Sequence, residues 1–334
     1  MAEKNNTTSL VLGGALLLIG LFVIIALVLV RSQAEEATVL ITNVAPVVSA
    51  VKICPNDGVP SSCSHIANYT SGTGTTQLSD IIATVTDTNG IDDIDPATGV
   101  VAVVYRTGSG DSCGSDGNDC YILTCANEVG IGPTSAYFKC DIATQHYMDA
   151  TTVAPFASDD WTIKVTATDA TAGSHSATNT FEVTENASVA FSPSPIDYGE
   201  LALGGTSATG FEVTGTNNGN ADADAQIRAD GANMTCSIDG TIPVGNQKFD
   251  TATDAYASMT TALTTGDQQI DFTDETGGVD SVASLCRRTS ETYKTSDTAW
   301  FGITIPASGV GGTCTVGATV TTKTEIDDCT GNGA

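Results

Sequence analysis

Apolar and polar residues alternate strictly along several stretches of this chain. Residues 221–230 read Ala-Asp-Ala-Asp-Ala-Gln-Ile-Arg-Ala-Asp without a break. Residues 161–168, 301–305 and 316–320 do the same. A period of two places one face on a core and the other in water, as a half-buried antiparallel strand requires. Asp222 and Asp224 then fall on a wet face. Threonine fills many of the other polar positions, where its branched Cβ fits the pleat and its hydroxyl stays solvated. Turn clusters separate the runs: Asp87-Thr88-Asn89-Gly90, Asn217-Asn218-Gly219-Asn220 and Thr276-Gly277-Gly278. Beyond residue 34 no 3.6-residue stripe outlasts two turns, and only 141–149 and 281–287 suit single helical turns. The pattern predicts an all-β fold of two tandem β-sandwiches, residues 35–188 and 189–334. Thr180-Phe181-Glu182-Val183 reads as the last strand of the first, and the stretch from Phe191 to Gly199 as the entry to the second. Trp161 and Trp300 each head a strand and are each expected to anchor a core.

One stretch has no alternation. Residues 10–30 carry no charge and are long enough as a helix to span roughly 30 Å of hydrocarbon. They predict a transmembrane signal anchor behind a short cytoplasmic N-terminus, residues 1–9. Ser32-Gln33-Ala34 has the small-x-small form of a cleavage site, and a cut after Ala34 would make the protein secreted. The apolar run exceeds the usual length of a signal h-region, and Arg31 directly follows it, which favours the anchor.

All ten cysteines lie beyond the apolar run. An even number scattered through Thr- and Gly-rich segments reads as disulfides in an oxidising compartment, which puts the C-terminal part outside the cell. No Cys-x2-Cys pair suggests zinc. Short local loops favour Cys54–Cys63 and Cys113–Cys120, then Cys125–Cys140, in the first half; in the second the expected pairs are Cys236–Cys314 and Cys286–Cys329. Asn68, Asn186 and Asn233 open glycosylation sequons.

The net charge is −27, from 12 basic and 39 acidic side chains. That balance leaves no electrostatic footprint for nucleic acid and opposes binding to anionic headgroups. Charged residues make up 15% of the chain, too few for a coiled coil. The densest acidic group runs from Asp87 to Asp95. There Asp87, Asn89, Asp92, Asp93 and Asp95 offer oxygen ligands around a glycine turn, which suits calcium. Their spacing is not that of an EF-hand, and a solvated Asx turn is the plainer reading. A second candidate for a cation is Asp111 with Asp116, Asn118 and Asp119, if Cys113 and Cys120 pair.

Enzyme signatures are sparse. His65, His146 and His175 are scattered, no Gly-x-Ser-x-Gly elbow occurs, and Gly311-Gly312-Thr313-Cys314 lacks the lysine of a phosphate loop. Asp159-Asp160 resembles the acidic pair of a glycoside hydrolase only if a cleft surrounds it. The expectation is a protein without catalysis.

Asn43-Val44-Ala45-Pro46-Val47-Val48 resembles the Asn-x-x-Pro entry of bacterial and archaeal immunoglobulin-like surface domains, a family that includes cadherin-like and polycystic-kidney-type repeats. Thr84-Val85-Thr86-Asp87-Thr88-Asn89-Gly90 and Val165-Thr166-Ala167-Thr168-Asp169 are similar to its Val-x-Asp-x-x-Gly strand ends. Ile196-Asp197-Tyr198-Gly199-Glu200-Leu201, with the later Asn-Gly-Asn turn, resembles another surface β-sandwich. The resemblance implies immunoglobulin-like sandwiches and a surface setting, and it brings no catalytic residues. The combined expectation is a membrane-anchored cell-surface structural or adhesion protein, a candidate glycoprotein, acting through protein–protein or protein–glycan contacts. The alternative is a pilin-like, self-associating subunit with residues 10–30 in a filament core. Against it, the apolar run lacks an adjoining basic Gly/Ala cleavage site and an early acidic residue.

Overall fold

The computed structural model describes residues 41–56, 59–270, 285 and 296–324. The expected anchor at 10–30, the segment 1–9, and Cys286 and Cys329 lie outside them. Among the described residues the protein is all-β, with no α-helix and three short 3-10 turns, Pro60–Ser62, Ile91–Asp93 and Val244–Asn246. No helix there is long and apolar enough to cross a membrane.

The first half contains β1 (Val47–Pro55), β2 (Asn68–Thr70), β3 (Gln77–Thr86), β4 (Val100–Arg106), β5 (Cys120–Thr124), β6 (Ala126–Gly132), β7 (Ser135–Thr144), β8 (Trp161–Thr168) and β9 (Ser174–Thr184). One sheet runs β1-β3-β7-β6 and the other β2-β9-β8-β4-β5. Every pairing is antiparallel except β2 with β9. The predicted alternation of residues 161–168 is observed: Trp161, Ile163, Val165 and Ala167 are fully buried, and the residues between them are half-buried. They pack in one core with Ile53, Ile81, Phe138 and Ile142 of the opposite sheet. Of the stretch 141–149, where a helical turn is expected, the part up to Thr144 is strand, because Phe138, Cys140, Ile142 and Thr144 keep the period of two to the end of β7, and a turn closed by Met148 N donating to Gln145 O at 3.2 Å follows. Two histidines and an asparagine satisfy the free edge of β1. His175 Nδ1 and His65 Nδ1 accept from Val48 N (3.1 Å) and Ile53 N (3.3 Å), and Asn179 Nδ2 donates to Val51 O at 2.8 Å. These bonds give His65 and His175 a structural task, since a buried backbone group without a partner is costly.

The second half contains β10 (Val189–Ser192), β11 (Phe211–Asn217), β12 (Ala223–Ala229), β13 (Asn233–Cys236), β14 (Thr241–Pro243), β15 (Gln247–Asp250), β16 (Thr261–Ala262), β17 (Gln268–Ile270), β18 (Ser296–Ile303), β19 (Cys314–Thr315) and β20 (Ala318–Thr324). They form sheets β10-β11-β18-β15-β16, β17-β12-β20 and β14-β13-β19. Val213, Ile227, Phe249, Ile270, Leu285 and Phe301 lead the core. Three details differ from the sequence expectation. Trp300 is half-buried, because Phe301 and Ile303 take the inward face of β18 and the period of two turns their neighbour outward. Asp224 is 1% exposed instead of wet; Gln269 Nε2 donates to its Oδ2 at 2.5 Å from β17, which flanks it in the sheet. On β20, an edge strand of its sheet, Ala318 and Val320 are exposed despite their alternation.

The structure forms Cys54–Cys63, Cys113–Cys120, Cys125–Cys140 and Cys236–Cys314, four of the five expected pairs. Cys236 and Cys314 face each other across β13 and β19.

Asparagines join the two halves. Asn220 is 1% exposed; its Nδ2 donates to Met148 O and Thr184 O, both at 3.1 Å, and its Oδ1 accepts from Asn186 N at 2.6 Å. Gly74 N donates to Asn218 O at 2.7 Å. The sequon residue Asn186 belongs to this joint: its Nδ2 donates to Ser71 O and Thr73 Oγ1. Asn68 and Asn233 are exposed.

Candidate metal centre

The site begins where β3 ends. Asp87 N donates to Thr134 O (2.8 Å), and Asp87 Oδ1 accepts from Asn89 N (2.8 Å), the Asx turn that an Asp-x-Asn sequence favours. Gly90 follows at φ +127°, a conformation only glycine adopts without strain. The chain then enters the 3-10 turn Ile91–Asp93, pinned by Ile91 and Ile94, which are buried in the core. The loop that follows β8 meets this turn. Ala170 N donates to Asp93 O at 3.0 Å, and Ile94 pairs with Asp169. Asp169 Oδ1 accepts from Thr171 N, Thr171 Oγ1 and Gly173 N at 2.8–2.9 Å, which closes a tight loop around its own carboxylate. Gly173 leaves the space: a Cβ there would lie 2.5 Å from Asp169 Oδ2.

The result is a trio of carboxylates. One oxygen each from Asp87, Asp93 and Asp169 lies within 4.8 Å of the others. Asp87 is fully buried, Asp169 is 5% exposed and Asp93 is half-buried. Asp87 Oδ2 is buried and has no hydrogen-bond partner. Such an oxygen is expensive in a folded protein unless a cation or a proton meets it.

The trio differs from the set expected from sequence. It contains Asp87 and Asp93, and Asp169 joins them from 76 residues beyond Asp93. Asn89, Asp92 and Asp95 are not in it. Asn89 Oδ1 accepts from Val44 N at 2.7 Å, and Asp92 faces solvent. Asp95 caps its own turn, accepting from Ala97 N and from the Thr98 N and Oγ1; these bonds, the Ala97 one foremost, hold its pKa below the ordinary value. Sequence carried a signal for Asp169: it follows Ala167-Thr168 at the end of a strand just as Asp87 follows Val85-Thr86.

The second expected cation site is taken up by other bonds. Asp111 pairs with Lys164 (2.6 Å), which lowers the Asp111 pKa through that hydrogen bond. Asp116 Oδ1 accepts from the backbone N–H groups of Asn118, Asp119 and Cys120. Asp119 Oδ2 accepts from Ser109 Oγ and lies 3.7 Å from Arg106 Nη2. With its amide turned to suit its neighbours, Asn118 donates to Tyr147 O and Asp149 Oδ1. Arg106, at the end of β4, organises the region. Its Nε donates to Asp149 Oδ2 at 3.0 Å, its Nη1 meets Asp159, and its guanidinium stacks 3.8 Å over the Phe156 ring. Asp159 is thus a structural ligand of Arg106.

Asp160 instead neighbours Glu182, whose Oε2 accepts from Thr151 Oγ1 at 2.5 Å. Burial, and then the adjoining Asp160 carboxyl, raise the Glu182 pKa; the Thr151 bond opposes the rise. A carboxyl whose pKa is raised on folding binds its proton more tightly in the native state. Its stabilising contribution is complete below the unfolded pKa and is lost as pH rises through the folded one. Glu182→Gln is therefore expected to raise the melting midpoint at neutral pH, with the gain fading as pH falls through the carboxylate range. Thermal melts across pH check this, and a gain that grows in acid would refute it.

No protein-family model matches the chain, and no curated protein matches it.

Proposed function

We propose that this chain is an exported, membrane-anchored surface protein whose role is structural or adhesive. The observation that carries the reading is the closure of eight cysteines into four disulfides, which belong to an oxidising compartment. The chain is acidic and rich in threonine, and the uncharged run at 10–30 is long enough for a membrane anchor. The first sandwich is read as immunoglobulin-like. Its sheet β1-β3-β7-β6 corresponds to strands ABED, and β9-β8-β4-β5 corresponds to GFC with an added C′ edge. It departs from antibody domains in having its buried tryptophan on β8 and no disulfide between β3 and β8. On such a scaffold binding resides in loops and strand edges. Strand β6 offers such an edge: it ends its sheet, is exposed throughout, and presents Val129 and Ile131 to solvent. A protein or glycan partner would meet surfaces of this kind.

Protease shaving of intact cells, combined with the mass of the mature N-terminus, tests the reading. Release of fragments from 35–334 with Met1 retained in the membrane supports the anchored form. Full protection of the chain on intact cells, with its cysteines reduced, contradicts export. A start at Glu35 replaces anchoring with secretion. A cut just before the apolar run, together with filaments of uniform width, favours the filament subunit.

A further inference from the structure

We propose that Asp87, Asp93 and Asp169 bind a single calcium ion that ties the β3–β4 loop to the β8–β9 loop. Calcium contacts oxygen at about 2.4 Å, so ligands on opposite sides of one ion stand about 4.8 Å apart. The three carboxylate oxygens lie within that distance of one another. A point within about 2.8 Å of all three such oxygens therefore exists, so small side-chain shifts of a few tenths of an ångström bring all three onto one ion. The buried Asp87 Oδ2, which has no partner in the protein, supplies the need. Three carboxylates packed this closely repel one another, and burial of two of them strengthens the repulsion. A divalent cation reverses the sign of that interaction.

The donor set selects the ion. It consists of hard oxygens alone, with no imidazole or thiolate, which excludes a preference for zinc or copper. Asp93 is half-buried, so one side of the site opens to water, which completes the six to eight ligands that calcium takes. Magnesium requires a shorter, near-ideal octahedron and gives up its waters reluctantly, so a buried carboxylate trio suits it less. The consequences are local. Asp169 also anchors the loop through Thr171 and Gly173, and Asn89, within the β3–β4 loop, holds the incoming chain at Val44. Calcium would stiffen the end of the sandwich at which the chain enters. The inference uses the exported location only for the supply of the ion; binding itself is independent of it.

The test is calorimetric titration of calcium chloride into the full chain in detergent, after removal of metal with EDTA, together with thermal melts. Expected are one saturable site with a Kd of roughly 0.1–1 mM, as in extracellular modules, and a midpoint raised by roughly 5 °C at about 10 mM calcium. Asp93→Asn is expected to melt in EDTA no lower than the metal-free wild type, because it relieves repulsion, and to lose both the heat and the shift. Asp92→Asn, one residue away and exposed, is expected to retain both. No saturable heat up to about 10 mM calcium would overturn the proposal, as would an unchanged Kd in Asp93→Asn. An equal response to magnesium would overturn the assignment to calcium. Surface shaving reads export separately, so either idea can fail alone.

Discussion

Arg106→Leu is expected to destabilise the first half by about 3–5 kcal/mol, the cost of leaving a buried charge without its partner. The guanidinium is the cation shared by Asp149, Asp159 and Asp119, and Asp149 is 1% exposed. Leucine fills much of the same space, so the loss reports charge more than volume. Arg106→Lys keeps the charge and should still lose much of the stability, since one ammonium cannot copy a planar fork that bonds two carboxylates and stacks on Phe156. Urea unfolding followed by tryptophan fluorescence is the measurement. Trp161 is a direct reporter because its Nε1 donates to Asp149 O at 2.9 Å, and a Trp300→Phe background isolates its signal. A loss below about 1 kcal/mol would place the cluster among exposed ion pairs and contradict its burial.

Removing Cys236–Cys314 by a double serine substitution is expected to cost about 4.5 kcal/mol, from the entropy returned to the unfolded chain. The bond joins residues 78 apart, whereas Cys113 and Cys120 are 7 apart. The same double substitution at Cys113 and Cys120 should cost only about 2.5 kcal/mol on that model. Chemical denaturation of the two variants against the wild type gives the comparison. Equal losses would show that native packing, and not loop length, sets the contribution of these bonds.

Much of the fold was legible because it obeys short-range rules. Residues 161–168 alternate, and their inward side chains form the centre of the first core. Three cysteine pairs close short local loops of 15 residues or less, whereas Cys236–Cys314, 78 residues apart, does not follow from a short-range rule. Trp300 departs from its expected place in the core because period outranks bulk: Phe301 and Ile303 already fix its direction. Asp224 departs from the wet face that alternation alone predicts because its covering neighbour, Gln269, is 45 positions away. The carboxylate trio was half legible for the same reason. Asp87 and Asp93 share a turn and are visible as a local cluster, but the pairing of β8 with β9 and the folding of its loop over Asp93 bring in Asp169. Local chemistry showed which residue types were available; strand topology decided which of them meet.

The long bond between Cys236 and Cys314 also has a mechanical meaning. A surface protein held at one end and pulled at the other lengthens as its domains open. An extended chain reaches about 3.4 Å per residue, so the 78-residue separation that this bond closes withholds roughly 260 Å of extension. The pairs in the first half close separations of only 7, 9 and 15 residues and leave most of that segment free to pay out. Under load the first half would lengthen further than the second, where this bond withholds about half of the 146 residues of 189–334.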